Sequence, residues 1–139
     1  MQIRRCRPLL AAAPLIMTGL LSGCSLFAGD PDFATLSGNA VSDEQAPIAD
    51  DARLEIRLLD MTQGRTTVAQ VDQNTHGRWP VPFALQFDRQ RIDSDRRYAL
   101  SAALLEGEST RYMTLEPLPV LTHGALSQQV RVPLTPVNR

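Results

Sequence analysis

The sequence predicts an all-β protein, a single immunoglobulin-like or transthyretin-like sandwich of two sheets with about seven strands. Three observations lead to this prediction. Apolar residues in the body of the chain recur at every second position, turn-forming residues separate the alternating segments, and no segment has the period of a long helix. With 139 residues, 43% of them hydrophobic, the chain has room for one ordinary domain with its own core.

Residues 1–23 are predicted to be a lipoprotein signal peptide. The stretch "MQIRRCRP" is positively charged, and the thirteen residues from Leu9 to Leu21 are apolar. A helix needs about 20 apolar residues to span a bilayer, so this run is too short to span and has the length of a secretory signal. An ordinary signal peptide or an uncleaved anchor is the alternative interpretation.

The end of this run, Leu21-Ser22-Gly23-Cys24, resembles the lipobox of bacterial lipoproteins. The resemblance implies a thioether-linked diacylglycerol on Cys24, cleavage before it and an acyl chain on the new amine. Several acyl chains anchor a protein stably, whereas one binds only reversibly. The residue after the lipidated cysteine is Ser25 rather than Asp. The absence of Asp at this position favours sorting to the outer membrane. We therefore expect a lipid-anchored domain that faces the periplasm.

Charge and cysteine content narrow the function classes. The chain has no lysine, and without the signal peptide it keeps eleven arginines against fifteen acidic residues. This balance argues against nucleic-acid binding. Cys6 leaves with the signal peptide and Cys24 carries lipid, so the mature chain has no thiol left for a disulfide.

Residues 24–35 are predicted to be a lipidated tether, and residues 36–137 the β-sandwich. Strong strand patterns occur in "ARLEIRLLD", "RWPVPFALQF", "YALSAALLE" and "LSQQVRVPL", and weaker ones in "ATLSGNAVS", "TTVAQVDQ" and "TRYMTLE". In "RWPVPFALQF" the residues predicted to share one buried face are Trp79, Val81, Phe83, Leu85 and Phe87. Its two prolines lack a backbone N–H, which predicts an edge strand or a bulge.

The segment "FDRQRIDSDRRY" interrupts the alternation and predicts either a long crossover or a single helical turn between strands. It ends at Tyr98, at the start of a strand, where a tyrosine corner would hydrogen-bond back to the crossover backbone. Arginines interleave with Asp88, Asp93 and Asp95, so ion pairing explains these carboxylates better than calcium binding.

Two of these stretches, "VPFALQFDRQRIDSDRRYALSAAL" and "PVLTHG", together resemble the YbaY/YscW family of bacterial lipoproteins, over roughly residues 36–134. The residues that carry the resemblance are Pro82, Phe83, Asp88, Ile92, Asp93, Tyr98, Pro119, Val120, Leu121 and Thr122, with Ile56, Leu58 and Asp60 in an earlier strand. The resemblance implies a lipobox followed by a β-sandwich of about one hundred residues. Some members are secretion pilotins, which bind the C-terminal tail of a secretin and deliver it to the outer membrane.

The main functional expectation is a non-enzymatic envelope lipoprotein that acts as a structural or interaction module. The alternatives are a secretin pilotin and a glycan-related binding protein. The chain has only two histidines, His76 and His123, each in a predicted turn, its carboxylates lie mostly next to turns or arginines, and no nucleophile or zinc motif accompanies them. We therefore expect no catalytic site, no metal and no cofactor. Glycan binding needs exposed aromatic residues, whereas Trp79 has the pattern of a core residue.

The segment "LEPLPVLTHG" is apolar without alternating, and its prolines exclude an interior strand. Leu118, Val120 and Leu121 are too apolar for a free loop. Two interpretations stay open: these residues cap one end of the sandwich, or they form a docking patch for a peptide or an envelope protein.

Overall fold

The computed structural model describes residues 30–125 and 127–137 of the chain. The predicted signal peptide, Cys24, Ser25 and Leu126 lie outside these ranges. Within them the strands are β1 (Phe33–Val41), β2 (Arg53–Asp60), β3 (Thr66–Asn74), β4 (Val81–Asp88), β5 (Tyr98–Glu106), β6 (Ser109–Met113), β7 (Leu118–Val120), β8 (Val130–Pro133) and β9 (Thr135–Pro136), with a 3-10 turn at Arg89–Arg91.

The strands form two sheets, which confirms the predicted all-β sandwich. Sheet A has the order β4-β1-β8, and sheet B has the order β3-β2-β5-β6-β9. β5 pairs with β2 along one edge, while β6 and β7 share its other edge. Seven strands correspond to the predicted segments; β7 and β9, of three and two residues, are the additional ones. No helix in the described ranges is both long and apolar enough to cross a bilayer.

The core lies between the inward faces of the sheets. Alternate residues of the long strands are buried because side chains of a strand point to opposite faces in turn. The inward residues of the three strongest patterns are Leu54, Ile56 and Leu58 from β2, Val81, Phe83, Leu85 and Phe87 from β4, and Tyr98, Leu100, Ala102 and Leu104 from β5. The predicted alternation is confirmed in all three strands.

Trp79 is a correction to that prediction. The ladder between β1 and β4 ends at the pair Ala40–Val81, so Trp79 lies beyond the strand and is half-buried. Its ring meets the edge of the Tyr112 ring at a centroid distance of 5.2 Å, and its Nε1 donates to the Ala46 carbonyl at 3.1 Å. The indole therefore packs against the margin of the core.

β4 is an edge strand of sheet A, as its prolines predicted. At the centre of this sheet, β1 pairs with β8 in parallel, with Gly38 opposite Val130. A Cβ atom on Gly38 would lie 2.0 Å from the Val130 carbonyl oxygen. This position requires glycine because any side chain would push β8 away from β1.

The crossover from β4 to β5 matches the predicted tyrosine corner. The Tyr98 hydroxyl accepts a hydrogen bond from the Asp93 N–H at 3.0 Å and donates to the Arg91 carbonyl at 3.3 Å. These bonds tie the residues that follow the 3-10 turn to the start of β5.

β1 begins at Phe33, three residues before the predicted start of the domain at residue 36. The residues before it also contact the sandwich. The Arg89 N–H donates to the Asp32 carbonyl at 2.8 Å, and Gln90 Nε2 donates to the Asp30 carbonyl at 3.0 Å. The last residues of the predicted tether are thus fixed to the end of the sandwich that holds the 3-10 turn.

Candidate docking site

The three apolar residues of the predicted patch face the core. Val120 pairs with Tyr98 and is fully buried, and Leu118 pairs with Leu100 and is half-buried. Leu121 is half-buried and packs against the core. Most of their surface is thus turned inward. A role of these three side chains in binding stays a prediction.

The opposite side of the same segment lines a cavity. Pro117 and Pro119 alternate with Leu118 and Val120, so they lie on the outward side of β7, and Pro119 pairs with Ala99 of β5. The cavity has a volume of about 400 Å³ and lies on the outer face of sheet B, where β5 begins. Its lining includes Met61, Ala99, Pro117, Pro119, His123 and Ala125. The two prolines were not predicted as site residues, although their spacing of two was the available signal.

A tight turn after β7 shapes one wall of the cavity. Leu121 has a φ of +69°, and the Thr122 N–H donates to the Val120 carbonyl at 2.8 Å. A hydrogen bond between residues two apart around a positive φ is a γ-turn of the rare, strained kind. The Thr122 hydroxyl donates to the Arg96 carbonyl at 2.8 Å, which fixes the turn to the chain before β5.

The facing wall is held by an ion pair at the start of the turn after β2. The Asp60 carboxylate accepts from the Thr62 N–H at 2.9 Å and from Arg96 Nη1 at 2.8 Å. The Thr62 hydroxyl, the Thr62 N–H and Arg96 lower the pKa of Asp60 from 3.8 to about 2, because each stabilises the charged carboxylate. The Met61 N–H donates to the Arg97 carbonyl at 2.8 Å, so both of these lining residues keep their places.

The described residues include both histidines and all fifteen acidic residues of the chain. They contain no group of three or more His, Cys, Asp or Glu side chains that could hold a metal ion. His76 and His123 both lie in turns, with φ values of +54° and +56°. Trp79, the residue weighed for glycan stacking, has its ring packed against Tyr112 and its N–H bonded to the backbone.

The cavity lies at the same end of the sandwich as the predicted tether. Asp60 and Tyr98, which bound the cavity end of sheet B, pair with each other across β2 and β5. In sheet A, Phe33 and Asp88 form the last pair at this end, next to Asp30 and the 3-10 turn. Ligand sites in proteins are concave and mostly apolar, which makes this cavity a candidate site.

The fold is thus a two-sheet β-sandwich with a cavity at one end, and comparison with known proteins identifies its family. The model of the type III secretion system lipoprotein chaperone (YscW) family matches residues 31–133. The chain therefore belongs to this family of lipoproteins, as the sequence resemblance had predicted.

A solved structure has the same fold. It is described as an alternative pilotin from the type II secretion system of Vibrio cholerae. Its TM-score is 0.73, with 24% sequence identity over 78% of this chain and 100% of that one. At this identity the similarity establishes the fold alone. No curated protein sequence matches the chain significantly.

Proposed function

We propose that this protein is a secretion pilotin, a non-enzymatic lipoprotein that binds the C-terminal tail of a secretin and assists its assembly in the outer membrane. The observation that carries the proposal is the family match, which spans residues 31–133 and therefore both sheets. It favours the pilotin over a general envelope module, the main expectation from sequence.

The cavity beside β7 supplies a place for the tail. Its volume of about 400 Å³ is within the range of sites that enclose small ligands or side chains. Met61, Ala99 and the two prolines offer apolar surface, which favours apolar side chains of a partner.

The short tether supports a role at the membrane. Asp30 is fixed to the 3-10 turn and lies six positions after Cys24. Six residues reach at most about 20 Å when fully extended. A lipid on Cys24 would keep the cavity end of the sandwich close to the membrane into which a secretin inserts.

Lipidation of Cys24 is tested by substitution. We expect Cys24→Ala to leave an unlipidated precursor that takes up no labelled palmitate and does not fractionate with membrane lipoproteins. A variant that labels and fractionates like the wild type would show that the lipobox interpretation is wrong.

The cavity is tested by filling it. Ala125 lines the cavity and is half-buried, so Ala125→Trp places a large ring in the space proposed for the tail. Ala84→Trp is the matched control, since Ala84 is exposed on the outer face of β4 in the other sheet. In cells lacking the native gene, we expect the control to restore the secretin to the outer-membrane fraction and Ala125→Trp not to.

The proposal has two clear ways to fail. Deletion of the gene with no change in secretin multimers or their membrane fraction would contradict the pilotin role. Full rescue by Ala125→Trp, at wild-type protein levels, would contradict the assignment of the tail to this cavity.

A further inference from the structure

The outer face of β5 has small side chains from Ala99 to Ala103, and the larger Leu105 follows them on the same face. Ala99, Ser101 and Ala103 alternate with the inward residues of this strand, and none of them is larger than serine. Outward residues of a strand are spaced about 7 Å apart. These small side chains therefore form the floor of a shallow groove, which larger side chains of the neighbouring strands border on both sides.

A second cavity lies on this floor. It has a volume of about 240 Å³, and its lining includes Ser101, Ala103, Thr110, Met113 and Val137. The first cavity touches Ala99, the next outward residue of the same strand. The two cavities thus follow one another along β5. Met113 and Val137 are 42% and 38% exposed, so apolar surface continues beside the floor.

Charged side chains are distributed unevenly along this groove. Glu55 and Arg57, which line the second cavity, form an ion pair with each other. Arg97 lines the first cavity and is exposed, and no carboxylate of the described residues forms an ion pair with its guanidinium. The groove is therefore apolar and neutral along most of its length, with one uncompensated cation where β5 begins.

From these features we infer that the bound segment lies along the outer face of β5 and places its C-terminal carboxylate on Arg97. The inference rests on the proposed function, in which a chain end is the ligand. An arginine and a carboxylate form charge-assisted hydrogen bonds, which are stronger than neutral ones. The segment runs antiparallel to β5, and about six extended residues span the distance from Ala103 to Arg97.

Synthetic peptides test this arrangement with the detergent-solubilised full-length protein. The probe is the C-terminal segment of the secretin from the same organism, about twice the length that spans the groove, with either a free carboxylate or a C-terminal amide. We expect amidation to weaken binding to the wild type about tenfold. For Arg97→Gln, both peptides should bind as weakly as the amide binds to the wild type.

Two matched controls separate local effects from folding. Arg131→Gln removes an exposed arginine from β8 in sheet A and should bind both peptides like the wild type. Ser101→Leu fills the middle of the groove and should weaken both peptides equally, whereas Gln86→Leu, on the outer face of β4, should weaken neither. Thermal unfolding of each variant checks that the fold is intact.

The outcomes distinguish this inference from the proposed function. Tight binding of both peptides, unaffected by amidation or by Arg97→Gln, would overturn the carboxylate assignment and leave the pilotin proposal standing. Wild-type binding by Ser101→Leu would overturn the path along β5. Failure of both peptides to bind the wild type would overturn the inference together with the proposed function.

Discussion

β4 and β7 are both edge strands that contain one proline, with another proline two positions earlier, yet they differ in nearly every other respect. β4 has eight residues and pairs with β1 along its whole length. β7 has three residues and covers only the start of β5. The missing N–H of proline places both strands at an edge, but the length of the apolar alternation determines how much of each strand is buried.

The outward sides of the two strands also differ. Beside its buried residues, β4 presents Pro82, Ala84 and Gln86 to solvent on an open sheet face. The outward prolines beside β7 instead line a cavity together with residues from two turns. β4 therefore contributes only to the core, whereas β7 contributes to the core on its inward side and to the candidate docking site on its outward side.

The largest effect is expected in β4. Phe83 is 4% exposed, and Phe83→Ala should lower the free energy of unfolding by roughly 3–5 kcal/mol because it leaves a cavity in the core. Urea unfolding measures this change. Gln86→Ala, on the outward side of the same strand, should change stability by less than about 0.5 kcal/mol. An unchanged urea midpoint for Phe83→Ala would contradict the burial of this face.

A smaller loss is expected where β1 supports β4. Gly38 pairs with Phe83 on one side and Val130 on the other, and the Cβ of Gly38→Ala would meet the Val130 carbonyl. Overpacking of this kind costs about 1–3 kcal/mol. The β8 amides should also exchange with deuterium faster than in the wild type. Ser37→Ala is the control, and equal stability of the two variants would show that β8 adapts without cost.

For the β7 edge we expect a moderate effect from Leu121→Ser. Leu121 is half-buried, so the substitution should cost about 1 kcal/mol of apolar burial. A loss of this size lowers the thermal midpoint by roughly 4–8 °C in a domain of this length. An unchanged midpoint combined with lost capture of the secretin would instead assign Leu121 to the docking surface.

The smallest effect concerns the ion pair beside the cavity. The pKa of Asp60 is about 2 in the folded protein and 3.8 ordinarily, so the charged carboxylate favours folding. This contribution is present above about pH 4 and is lost as the pH falls towards 2. Asp60→Asn should therefore be less stable than the wild type at neutral pH, and the difference should shrink in acid. A difference that stays constant from pH 7 to pH 2 would contradict this role.

Sequence predicted β4 better than β7 for physical reasons. Four large apolar residues at strict alternation specify a half-buried strand, and Tyr98 at a strand start after a polar crossover specifies a corner. A strand of three residues has no period to detect. Its position depends on the pairing of Val120 with Tyr98, 22 residues away, which no local pattern encodes.

The cavity was missed for a related reason. Leu118 and Val120 attract attention as apolar residues, whereas the cavity is lined by Pro117, Pro119 and Ala99. The spacing of two between the prolines indicates an edge strand but does not indicate a cavity on its outward side. The prolines become part of the candidate site only when sheet pairing brings Pro119 opposite Ala99.

The parallel pairing of β1 with β8 affects the order in which the protein is made. Gly38 and Val130 are partners although 92 positions separate them, so sheet A lacks its third strand until almost the whole chain is available. Contacts this distant in sequence slow folding, because a long loop must close before they form. A nascent chain of this protein stays incompletely folded until its last segment is released.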